Sequence, residues 1–121
     1  MIIKLNPAFV IGFLVIAISC NFNSAQAHEF RPGHLQLIEV DEGTTKYHVI
    51  WKKPILLNTT VQLDPVFPED CRVTDIAPPQ VGNVAIIYHW RANCDLGQSS
   101  IHINELEFSH TDVLVSVETL D

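Results

Sequence analysis

The chain has 121 residues, 47% of them hydrophobic and 17% charged, with 7 Lys and Arg against 14 Asp and Glu for a net charge of −7. That length supports one small domain around a single core. The negative balance disfavours nucleic acid and anionic lipid as partners, and ordinary acidic solubility chemistry is the simplest reading of it.

The first 27 residues read as a secretory signal. Lys4 supplies a positive n-region, Ala8 to Ile18 form an apolar run, and Ala25-Gln26-Ala27 is a small-x-small cleavage site. The run is too short for a confident membrane span and is expected to form a signal helix. Cutting after Ala27 makes His28 the new terminus and leaves 94 of the 121 residues as a single extracytoplasmic domain, 28–121. The leader takes away Lys4 and no acid, so the mature balance is 6 basic against 14 acidic residues, a net charge of −8. Ala17-Ile18-Ser19-Cys20 is a degenerate lipoprotein box, the alternative to simple cleavage. Simple cleavage removes Cys20 and leaves Cys71 and Cys94 as an even pair in an oxidising compartment, where a disulfide is expected.

Alternation dominates the mature chain. Leu35, Leu37, Ile38 and Val40 shift phase partway, which predicts a bulge near Leu37. Asp41-Glu42-Gly43 predicts a hairpin turn. Tyr47, Val49 and Trp51 then alternate with Lys46, His48 and Lys52. Val61 and Leu63 alternate with Gln62 and Asp64, and Val84, Ile86, Tyr88 and Trp90 oppose His89 and Arg91. Ile101 and Ile103, then Val113, Val115 and Val117, complete the period-2 pattern of half-buried strands. Pro and Gly clusters punctuate these runs, and no helical stripe appears after residue 28. The expected fold is all-β: a small antiparallel, Ig-like sandwich of six to seven strands.

His28 is the sharpest chemical feature. A terminal histidine offers an α-amine and a ring nitrogen to one ion, a chelate suited to copper(II), and needs a further imidazole from the fold. His34 is nearest in sequence. His48, His89 and His102 sit on the polar phases of their strands, and neighbouring strands would gather them into a patch. No His-x-His or His-x3-His spacing binds these five into a site by itself. Arg31-Pro32-Gly33 reads as a structured entry to the first strand. Asp64, Glu69 and Asp70 share a proline-rich segment next to Cys71, which favours a rigid loop over acid–base work. Trp51 and Trp90 read as core, and Asn58-Thr59-Thr60 is a formal glycosylation sequon. Nothing matches a nucleophile elbow, a phosphate loop or a Ser-His-Asp arrangement, so the chain is read as no enzyme.

Several ordered stretches carry a resemblance: His28-Glu29-Phe30-Arg31-Pro32, Tyr47-His48-Val49-Ile50-Trp51-Lys52 with Pro54, Leu63 to Cys71, and Thr111-Asp112-Val113-Leu114-Val115. In this order they resemble the extracytoplasmic N-terminal region of HupE/UreJ-like bacterial membrane proteins. That resemblance implies a non-catalytic binding or interaction module that precedes a helical permease associated with nickel or cobalt. No apolar span follows Val115 in this sequence, so transport is not carried over with it. The other reading is a free periplasmic carrier of copper or nickel. Expected partners are accordingly a membrane permease domain or a metal ion.

Overall fold

The computed structural model describes residues 2–4, 6–12, 31–57 and 59–120. The cleavage site, Cys20, His28 and Asn58 lie outside them. Residues 7–12 are helical. Asn6 caps this turn by accepting from the Ala8 N–H (3.2 Å), and Pro7 follows at the first helical position.

The domain is a small all-β sandwich. Its strands are β1 (Gly33–Glu39), β2 (Lys46–Pro54), β3 (Pro65–Val66), β4 (Arg72–Thr74), β5 (Gln80–Val81), β6 (Ala85–Asn93), β7 (His102–Ile103) and β8 (Val113–Glu118). One sheet has the order β4-β6-β2-β1-β8, with β5 also paired to β6, and the second contains only β3 and β7. Eight strands replace the expected six to seven because β3, β4, β5 and β7 are two or three residues long, too short to show a period.

Most pairs are antiparallel, as expected, but β1 and β8 run parallel, from Gly33 opposite Val113 to Ile38 opposite Glu118. A parallel pair needs a long crossover, and here everything from β2 to β7 supplies it. The hairpin joining β1 to β2 forms where the turn residues place it. Gly43 adopts φ 68°, and the Thr44 N–H donates to the Asp41 carbonyl (3.1 Å).

Two local expectations are corrected. No bulge interrupts β1. Its register with β2 runs unbroken from His34–Lys52 to Glu39–Tyr47, and burial alternates along the whole strand. The apparent phase shift arises because Glu39, not an apolar residue, takes the fourth inward position, after Gly33, Leu35 and Leu37. It is buried there and accepts from the Leu120 N–H (2.9 Å), which leaves Ile38 on the opposite face. Residues 61–64 form no regular strand either. Leu63 is buried, but no ladder forms: the Asn104 N–H donates to the Asp64 carbonyl (2.8 Å), while the Gln62 N–H donates to the Glu105 side-chain carboxylate (3.2 Å).

The core lies between the large sheet and the loops around β3 and β7. Trp51, Leu35, Leu37, Leu63 and Val49 are fully buried. Each such side chain contributes about 1.5–3 kcal/mol through the area it removes from water. Phe67 meets Trp90 edge-on at 5.8 Å between centroids. Both indole N–H groups are buried without a hydrogen-bond partner among the described residues, so ring burial must outweigh a cost of about 1–3 kcal/mol each.

Cys71 and Cys94 are joined in a disulfide (Cα–Cα 4.5 Å) that ties the β3–β4 loop to the end of β6. Closing that loop contributes about 3 kcal/mol in the chain-entropy model. The neighbouring carboxylates have structural partners: Asp64 pairs with Lys53 (2.9 Å), and Asp70 accepts from the Ser99 hydroxyl (3.0 Å). On β8 the valine alternation is present, yet Val115 and Val117 are exposed, since β8 is an edge and the small second sheet does not reach over it. Among the described residues, no helix is long and apolar enough to cross a membrane.

Gly33 opens β1 where Trp51 packs. A Cβ there would lie 2.8 Å from Trp51 Cη2 and 3.2 Å from Val113 Cγ2. The indole is fully buried and has no room to retreat. Gly33→Ala is therefore expected to destabilise by about 1–3 kcal/mol, seen as a lower urea midpoint at unchanged m-value.

Candidate functional site: a histidine pair on the outer face of the sheet

Alternation sends Tyr47, Val49 and Trp51 of β2 into the core and puts Lys46, His48, Ile50 and Lys52 on the outer face. On β6, Tyr88, Trp90 and Ala92 face inward, while His89, Arg91 and Asn93 face out. The register sets His48 opposite Arg91 and Ile50 opposite His89. His48 and His89 are thus diagonal neighbours on one face, a separation that rings can span. They do meet: His89 Nδ1 lies 3.3 Å from His48 Nε2, with ring centroids 5.5 Å apart and planes tilted by 37°. One ring N–H donates to the other ring's bare nitrogen.

The surroundings of His48 favour its neutral form. On the β1 side it lies opposite Ile38, which is uncharged. On the β6 side are His89 and the Arg91 guanidinium, and along its own strand, Lys46. Burial against this face lowers the His48 pKa below 6.5, and repulsion from His89 and then Arg91 lowers it further.

The five candidate histidines do not converge. His34 shares the outer face but sits four positions along β1 from Ile38, about 13 Å away, and its Nε2 bonds Ser116 Oγ on β8 (3.1 Å). His102 lies on β7, opposite Val66 in the other sheet. His28 lies outside the described residues. Among the described residues, no group of three or more His, Cys, Asp or Glu side chains is placed to share one metal ion. The assembled unit is the His48–His89 pair.

Arg91 adjoins the pair, and two further cations stand one row along the same face; sequence reasoning did not single them out. Lys46 and Arg72 both lie opposite Asn93, on either side of β6, and Arg91 lies between His48 and Thr74. Arg72 belongs to β4, whose three residues are all exposed and carry no apolar period. Its place beside the pair follows only from pairing to β6. Asp75 ends β4 in the left-handed region (φ 52°) and contacts Arg91 at 3.8 Å, a long ion pair between side chains 59% and 70% exposed.

Comparison of the chain with protein-family models, with curated proteins and with solved structures finds no match.

His48 ionisation has a defined direction. Well above pH 6.5 the ring is neutral in both folded and unfolded chains. Below it the unfolded chain takes up the proton first, so stability linked to this ring falls as pH drops toward the lowered folded value. An NMR titration should place the His48 midpoint below 6.5 in the wild type and higher in Arg91→Gln. A midpoint at or above 6.5 in the wild type contradicts this account.

Proposed function

We propose that this protein is a non-catalytic, extracytoplasmic binding module that holds a divalent transition-metal ion on His48 and His89. The supporting observation is the 3.3 Å separation of His89 Nδ1 and His48 Nε2. Two imidazole nitrogens about 2.0–2.1 Å from a tetrahedral ion lie about 3.3–3.4 Å from each other. The nitrogens are therefore already at ligand spacing, and each ring turns by about 35° to aim its lone pair at a shared tetrahedral ion. The ring that donates in the metal-free pair shifts its proton to its other nitrogen, and both lone pairs then point at the ion. Imidazole donors of this kind suit nickel, copper and zinc.

Export fits the same reading. A disulfide between Cys71 and Cys94 belongs to an oxidising compartment, and the leader motif agrees with it. The resemblance to the soluble region of HupE/UreJ-like membrane proteins gives the module a place: beside a permease, presenting metal to it. The terminal chelate at His28 is not needed for metal binding here, because the pair is built from strands.

Isothermal titration with nickel(II), copper(II) and zinc(II) should give one ion per chain. His48→Gln or His89→Gln alone should weaken binding by about tenfold or more, the equivalent of about 1.4 kcal/mol or more. His102→Gln, in the other sheet, should leave it unchanged. Equal affinity in wild type and His48→Gln rules the pair out as the metal's seat.

The membrane context has its own check. Reading the genomic DNA past the codon for Asp121 should reveal several apolar spans of about 20 residues each in the same frame or the neighbouring gene. A stop codon with no permease alongside counts against that placement and leaves the metal site standing.

A further inference from the structure

We infer that the ion on His48 and His89 is taken up together with a carboxylate-bearing co-ligand, held by Arg91, Arg72 and Lys46. The inference rests on the metal reading above and extends it to the other half of the coordination sphere.

Two imidazoles leave two positions of a tetrahedral ion to outside ligands, and the fold offers no further His, Cys, Asp or Glu to fill them among the described residues. What the register places next along this face is cationic. Arg91 is the cross-strand neighbour of His48 and lies two residues from His89 on the same face. One row further, Lys46 and Arg72 flank Asn93 from either side. Together they bring three of the six basic residues of the mature chain onto one patch of an acidic protein.

These cations are not consumed by the fold. Lys46 and Arg72 have exposed side chains with no ion-pair partner among the described residues. Arg91 has only the long contact to Asp75. Asp41 and Asp75 line the same cleft as Lys46, Arg72, Thr74 and Arg91, so the patch keeps one net positive charge.

A bare or hydrated dication would meet repulsion at this patch. An ion carrying an anion would not, since the negative ligand faces the guanidinium groups. Arginine favours carboxylate in particular, because its planar fork matches two oxygens at once. A dicarboxylate suits the arrangement best. One carboxylate completes the metal's coordination, and the other reaches the Arg72–Lys46 row, about 7 Å further along the strands.

The test is isothermal titration of succinate, a weak chelator, into the nickel-loaded protein. One succinate per chain is expected. Arg72→Gln/Arg91→Gln should bind nickel alone at least as well as the wild type, yet bind succinate about tenfold more weakly once loaded. Equal succinate affinity in wild type and double variant overturns the inference, as does equal affinity for metal-free and nickel-loaded protein. If nickel by itself gives no binding, the metal reading fails first and this one falls with it. If nickel binds and succinate does not, only the co-ligand is lost.

Discussion

Nine consecutive residue pairs join β2 to β6, from Lys46 opposite Asn93 to Pro54 opposite Ala85. This ladder sits at the middle of the large sheet and determines both of its faces at once. Because side chains alternate with a period of two, the register that buries Val49 and Trp51 against β1 and the loops must also lift His48 and His89 to the outside. A slip of one residue would send Trp51 to solvent and the imidazoles into the core. Both changes are strongly unfavourable, so packing on one face holds the geometry of the other. The histidine pair gets its placement from tryptophan burial, which does not depend on any bound ligand.

The long strands could be read directly because they are half-buried. Tyr47, Val49 and Trp51 against His48 and Lys52 make a clean alternation, and Asp41-Glu42-Gly43 has the turn chemistry a hairpin needs. Elsewhere the pattern misled or was silent. Glu39 broke the apolar alternation of β1, because a buried carboxylate that accepts from Leu120 looks polar in sequence and behaves as core in space. Exposed β4 and β5, two or three residues long, owe their conformation to pairing with β6, so nothing local announces them. The parallel placement of β8 beside β1 depends on contacts between segments about 80 residues apart, which no window of sequence contains.

The same division applies to the site. That His48 and His89 lie on outer phases follows from alternation alone. That they meet, while His34 and His102 go elsewhere, depends on strand order and register. The flanking cations lie one step further from view. Lys46 and Arg91 fall on outer phases, but Arg72 joins them through the pairing of β4 to β6, next to the Cys71–Cys94 disulfide.

A two-imidazole site on an open face has a consequence for what a metal-binding module of this kind can do. Structural zinc sites close four protein donors around the ion and hold it as part of the fold. Here the core packs around Trp51, Leu35 and Val49, and an ion on the proposed His48–His89 site would take only half of its coordination sphere from the protein. Such a site gives up its ion without unfolding, because the competing ligand can enter through the open positions before the imidazoles leave. Affinity is lower than for a closed cage, and exchange is correspondingly easier. Lowering the His48 pKa works in the same direction as the geometry: it lessens the proton's competition for the lone pair that a metal would need. The rigid sheet keeps the two nitrogens near ligand spacing whether or not an ion is present. That combination of fixed donors and open access suits handing an ion on better than storing it.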